Sequence, residues 1–167
     1  MTTIAYRSGV MACDSCWTSE EAHTVSASKI QRLKSGALFG ASGDNDVRDV
    51  IALLDRVRKP EDLPLRSQLL AIQVDCSAIL VFPSGDIFQI GTGRKADDDD
   101  IGAWEVNRGF AAVGTGAHLA LGAMGAGRGA AQAVAIACKF DINSRPPVHQ
   151  AYIKQQSRRG RARAGAK

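Results

Sequence analysis

Polar and apolar positions alternate at the start of the chain, and the period then changes. Thr2-Thr3-Ile4-Ala5-Tyr6 and Val10-Met11-Ala12-Cys13 are strand-like and flank Ser8-Gly9, which predicts a hairpin. Lys29-Ile30-Gln31-Arg32-Leu33 alternates, Ser35-Gly36 turns, and Ala37-Leu38-Phe39-Gly40-Ala41 predicts a short buried strand. Val47, Val50, Ile51, Leu54 and Val57 then fall on one face of a helix. Asp44 and Asp46 suit its N-terminal end as cap or dipole partners, and Pro60 and Pro64 close it. A second hairpin is predicted from 77–82 and 87–90 around Pro83-Ser84-Gly85-Asp86. Phe110-Ala111-Ala112-Val113 reads as a strand ending in Gly114-Thr115-Gly116. Two Ala- and Gly-rich helices follow, over about 117–125 and 128–140, and a last strand runs over 148–153. This order of elements implies an α+β fold, a sandwich of antiparallel sheets covered by helices.

Composition adds bounds to that pattern. The 167 residues, 45% hydrophobic and 23% charged, match one globular domain. No run approaches the roughly 18 apolar residues of a membrane span. The first residues lack the basic start and apolar stretch of a secretory signal. The chain is therefore expected in the cytoplasm of a bacterium, or of a host if phage-encoded, with Cys13, Cys16, Cys76 and Cys138 as thiols. The net charge of +4 is uneven: six of the 21 basic residues lie from Lys154 onward, leaving 15 basic against 17 acidic residues before it. The expected organisation is one domain over 1–153 and a flexible basic tail over 154–167. Contact of that tail with an anionic partner is the single role left for nucleic acid.

Most candidate motifs have a plain structural reading. Cys13-Asp14-Ser15-Cys16 lacks the second pair of a zinc site and the strand-to-helix context of a redox pair. Gly125-Ala126-Gly127-Arg128-Gly129 follows a helix rather than a strand and reads as a helix-to-helix turn, not a phosphate loop. His23, His118 and His149 share no helix face. The run Asp97 to Asp100 lacks the spaced ligands of a calcium loop and reads as an exposed loop. No cofactor or metal is expected. Thr2 differs from these. Initiator Met is commonly removed before a small residue, and an N-terminal Thr carries a nucleophilic hydroxyl and a basic amine on one residue.

Together these segments resemble the proteasome β-subunit family, in particular the bacterial HslV-type peptidases. The motifs come in the family's order: Thr2-Thr3-Ile4 at the start, Val10-Met11-Ala12-Cys13-Asp14-Ser15 with the family's Asp, and Lys29-Ile30-Gln31-Arg32-Leu33 with its Lys. Gly40-Ala41-Ser42-Gly43-Asp44 resembles the Gly-rich turn before the first long helix. Val113-Gly114-Thr115-Gly116 stands where the family has Gly-Ser-Gly, and Asp141-Ile142-Asn143-Ser144 has its Asp-x-x-Ser spacing. The resemblance covers about residues 2–153. Thr115 replaces the usual Ser, Arg145-Pro146-Pro147 replaces small glycines, the stretch after the first helix is shorter than in HslV, and the basic tail is additional.

The resemblance implies a four-layer αββα sandwich and hydrolysis of peptide bonds through an ester intermediate. Thr2 would be the nucleophile, with its α-amine as base. Lys29 would depress the pKa of that amine, and Asp14 would hold Lys29. The backbone N–H of Gly43 would form an oxyanion hole. Thr115, Asp141 and Ser144 would form a supporting network around the amine. The implied partners are a peptide or unfolded protein substrate, further copies of the chain in a ring, and an ATP-dependent unfoldase. Two alternatives stay open: a catalytically silent member serving as a structural ring or interaction module, and an amidase acting on a small molecule.

Overall fold

The structure is a computed structural model that describes residues 2–18, 23–25, 28–43, 47–93 and 101–154. The chain opens with β1 (Thr3–Arg7) and β2 (Val10–Cys13), joined through Ser8 and Gly9, whose φ angles are 50° and 83°. Two successive positive φ values match the right-handed strand twist, which makes Ser8-Gly9 a tight hairpin connection. A short hairpin of β3 (Cys16–Thr18) and β4 (His23–Val25) follows. Next come β5 (Ile30–Arg32), β6 (Leu38–Gly43), α1 (Arg48–Leu54), a 3₁₀ turn (Pro60–Asp62) and α2 (Arg66–Leu70). The second half runs β7 (Cys76–Val81), β8 (Ile87–Thr92), β9 (Gly102–Glu105), β10 (Phe110–Gly114), α3 (Ala117–Gly125), α4 (Ala130–Phe140) and β11 (His149–Tyr152).

Two antiparallel sheets form, with strand orders β10-β1-β2-β11 and β5-β6-β7-β8-β9. The pleat divides each strand between two environments. Ile4, Tyr6, Met11, Cys13, Ala111 and Val113 point from the first sheet towards the second, where they meet Leu38, Ile79, Val81 and Ile87. The alternate residues Ala5, Ala12 and Ala112 face α3 and α4, packing on Ala120, Met124, Ala130, Ala133 and Val134. Alanine on both surfaces lets the helices approach the sheet closely. On the far side, Phe39, Ala78, Leu80 and Ile90 pack beneath Val50 and Leu54 of α1 and Leu69 of α2. The layers are therefore α3/α4, first sheet, second sheet and α1/α2, as the element order and the resemblance both implied.

Four elements escaped the periodicity. The β3–β4 hairpin and β9 are short, and α2 spans only five residues, so none holds enough period to be seen. The Gln68 side chain accepts the Leu65 N–H at 2.9 Å ahead of α2, a local start signal just after Pro64. The last helix starts at Ala130, after a Gly129 in extended conformation. The expected caps Asp44 and Asp46, the run Asp97 to Asp100 and the tail beyond Lys154 lie outside the described residues. No helix among the described residues is long and apolar enough to cross a membrane.

Strand direction assembles the candidate site. β1 lies antiparallel between β2 and β10, so its start meets the ends of both. Thr2, Asp14 and Thr115 thus reach one end of the sandwich, although more than a hundred residues separate the first from the last.

Candidate active site

Asp14 follows β2 directly and has no solvent exposure. A buried carboxylate must be paired or saturated with donors, and here it is both. Oδ1 accepts the Thr2 hydroxyl, the Thr3 N–H at 2.9 Å and the Lys29 ammonium at 2.9 Å. Oδ2 accepts the backbone N–H groups of Cys16 at 2.8 Å and Arg145 at 3.2 Å. A carboxylate offers about four lone-pair sites, so none remains idle.

Lys29 enters just before β5, with its side chain 9% exposed. Its ammonium spends its three protons on Asp14 Oδ1, the Thr2 hydroxyl and the Cys16 carbonyl. Thr2 Oγ1 thus accepts a hydrogen bond from a cation and donates one to a carboxylate. Thr2 is 4% exposed.

A second network lies against the first. Thr115 Oγ1 donates to Asp141 Oδ2 at 2.7 Å, and Ser144 Oγ donates to the same oxygen at 2.6 Å. Ser144 has then used its only proton, so Thr3 donates across the 2.6 Å Thr3 Oγ1–Ser144 Oγ contact. The network therefore ends on the side chain of Thr3, and it reaches Thr2 through the Thr115 N–H, which donates to the Thr2 carbonyl at 2.9 Å. Burial pushes the Asp141 carboxyl up, but the hydrogen bonds from Ser144, Thr115 and Asn143 outweigh it and hold the group below the ordinary carboxylate range.

Asp141→Asn is therefore expected to weaken the fold in a pH-dependent way. A depressed folded-state pKa stabilises above the unfolded value of about 4, and that stability is lost as the pH falls through the folded value. Denaturant melts should show a loss of about 1 kcal/mol near neutral pH, discounted for the partial exposure of the group, that closes below about pH 4. A pH-independent difference would contradict the charge-assisted network.

Two glycines bring the remaining chain into place. Gly114, at φ 93°, lies so close to Thr2 that a Cβ there would stand 1.9 Å from the Thr2 carbonyl oxygen and 3.0 Å from Ser42 Oγ. The end of β6 therefore adjoins the start of β1. Gly43, at φ 137°, leaves room for only 2.1 Å between an added Cβ and the Asp75 carbonyl oxygen. It lines an open cleft of about 490 Å³ together with Ser42, Ser77, Gln89 and Trp104. The structure thus joins Thr2, Asp14 and Lys29 by direct contact, joins Thr115, Asp141 and Ser144 in a neighbouring network, and sets Gly43 at the adjacent strand end.

Sequence reasoning missed the backbone donors and acceptors of Cys16 and Arg145, the hydroxyl of Ser15 and the role of Thr3. Backbone groups leave no residue-type signal. A second Thr beside Thr2 was the only visible hint. Of the thiols, Cys13 accepts the Lys29 backbone N–H at 3.4 Å. None is in a disulfide. Burial pushes the Cys13 thiol up and, with Asp14 and Asp141 adding to it, pushes Cys138 up to about 11, so neither is a thiolate near neutral pH. Among the described residues, no three His, Cys, Asp or Glu side chains are grouped to hold a metal.

No protein-family model matches the chain, and no curated protein matches it. Solved structures do. Thiobacillus denitrificans BPH matches with a TM-score of 0.63 and 19% identity, over 93% of this chain and 98% of that one. The same protein in complex with epoxomicin matches with a TM-score of 0.65 and 18% identity, over 93% and 98%. Eukaryotic HslV from Trypanosoma brucei matches with a TM-score of 0.64 and 17% identity, over 90% and 97%. With the two sheets, their covering helices and nearly the whole chain matched, the fold is that of the HslV and proteasome-type N-terminal-nucleophile hydrolases.

Proposed function

We propose that this protein is a threonine peptidase whose nucleophile is Thr2, exposed by removal of Met1. The observation that carries this reading is the contact of Thr2 Oγ1 with both the Lys29 ammonium and the Asp14 carboxylate, in a buried site on this fold. Once exposed, the Thr2 α-amine takes the hydroxyl proton as Oγ attacks the peptide carbonyl carbon. The new C–O bond forms, and the Gly43 N–H stabilises the oxyanion. The protonated amine then delivers the proton to the leaving nitrogen as the C–N bond breaks. Water hydrolyses the ester by the reverse proton path and regenerates Thr2.

An α-amine ordinarily titrates near 8, so a neighbouring cation that lowers this value enlarges its basic fraction at neutral pH. Lys29 supplies that cation, and Asp14 keeps it in place. Thr115, Asp141 and Ser144 brace the Thr2-Thr3 backbone. The substrate is a peptide or an unfolded protein, handled in a ring of identical chains that an ATP-dependent unfoldase feeds. The likeness to HslV supports this part of the reading.

Intact mass of the purified protein, before and after incubation with a peptide epoxyketone, tests it. That reagent needs both the Thr hydroxyl and its free amine. The expected result is a mass lacking Met1 and one stoichiometric adduct per chain. Met1 removed with no adduct on the assembled protein would leave a structural ring as the better reading. Met1 retained on the assembled protein would block the amine and refute the mechanism.

A further inference from the structure

Resting on the reading of Thr2 as nucleophile, we propose that Ser15 is a positioning residue that latches the segment Arg145–Pro147 onto Asp14 and so holds both halves of the site in register. The β2–β11 ladder ends at the His149–Cys13 pair, so Ser15 and the segment Arg145–Pro147 lie just beyond its end. Pro146 and Pro147 have no N–H, so neither can donate a backbone bond to the facing chain. The bonds from Ser15 therefore run the other way, onto the carbonyls of this segment. Its N–H donates to the Arg145 carbonyl at 2.9 Å, and its hydroxyl donates to the Pro147 carbonyl. Ser15 is fully buried, so water cannot replace either bond.

The latch has a consequence at each end. Held this way, the Arg145 N–H points at Asp14 Oδ2 at 3.2 Å and fixes the plane of the carboxylate whose other oxygen carries Lys29 and Thr2. One residue earlier, Ser144 links Thr3 to Asp141. The same short segment therefore sets Asp14 from one side and the Thr115–Asp141–Ser144 network from the other. With Ser15→Ala the Pro147 carbonyl loses its donor, and the segment is held only at Arg145, by the residue-15 N–H and by Asp14 Oδ2. A displacement near 1 Å at a reacting group can cost roughly a hundredfold in rate, so the partial loosening expected here should cost about tenfold.

The experiment is the time course of epoxyketone adduct formation on the full chain, wild type against Ser15→Ala, read by intact mass. A role confined to folding would lower the fraction of chains that react and leave the rate constant of those that do unchanged. The positioning role predicts the reverse: full final adduct, a maximal rate constant about tenfold lower, and half-saturation by the reagent unchanged within about twofold. Wild-type kinetics in Ser15→Ala, with the wild type reactive, would overturn the role of Ser15 and leave the peptidase reading standing. A wild type that loses Met1 and still forms no adduct would defeat the peptidase reading and this role with it. If Ser15→Ala yields no folded protein, hydrogen exchange of the Arg145 amide in the wild type decides. The latch requires exchange slowed by about a hundredfold or more relative to an open chain. Exchange at the open-chain rate would refute it.

Discussion

Lys29→Ala is expected to cut peptide turnover by roughly 10²–10⁴-fold while the chain still folds. The Lys29 ammonium is the cation in contact with Thr2 Oγ1, so its loss returns the terminal amine towards its ordinary basicity and frees the hydroxyl from its donor. Breaking a buried ion pair usually costs about 3–5 kcal/mol because a charge is left without compensation. Asp14 is better protected than that. It keeps the backbone N–H groups of Thr3, Cys16 and Arg145, and the loss should fall below that range. Turnover of a fluorogenic peptide and a denaturant melt on the same preparation test both halves. Wild-type turnover in Lys29→Ala would sink the mechanism. Global unfolding would instead make Lys29 a structural residue first.

Gly114→Ala should cost roughly 4 kcal/mol or more, while Gly122→Ala should stabilise by roughly 0.5–1 kcal/mol. The contrast is geometric. At Gly114 the new Cβ would stand 1.9 Å from the Thr2 carbonyl oxygen, on a backbone at φ 93° that L residues rarely adopt. Relief would require moving Thr2 itself, so the adduct-forming reaction should vanish along with the stability. At Gly122, within α3, a Cβ meets nothing within 4 Å, and alanine restricts the unfolded chain without strain. Thermal or denaturant midpoints of the two variants read the difference. Equal midpoints would mean that β10 does not press against Thr2 as described.

The candidate site also shows why a hydroxyl-rich motif is hard to assign from spacing. Thr115, Asp141 and Ser144 were expected around the terminal amine. Among the described residues their bonds run to Thr3 Oγ1 and the Thr2 carbonyl. The side chains of Thr2 and Thr3 leave opposite faces of the strand, so one faces Lys29 and the other faces Ser144. Two adjacent threonines at the strand start thereby serve two networks.

The sequence by itself determined the strands with a strong local pattern. Ile4 and Tyr6 alternate with Ala5, Met11 and Cys13 alternate with Ala12, and each set found its own core. It also determined α1, since Val50 and Leu54 recur at helical spacing, and the Ser8-Gly9 turn, since only a few residue types tolerate that backbone. Both are short-range properties, written within a few residues. Tertiary structure alone decided the pairing of Asp14 with Arg145, the latch of Ser15 on Pro147 and the approach of Gly114 to Thr2. Those contacts join residues more than a hundred positions apart, and each has a backbone group on one side, the Arg145 N–H, the Pro147 carbonyl or the Thr2 carbonyl, which leaves no residue-type signal; the fold brings the two sides together.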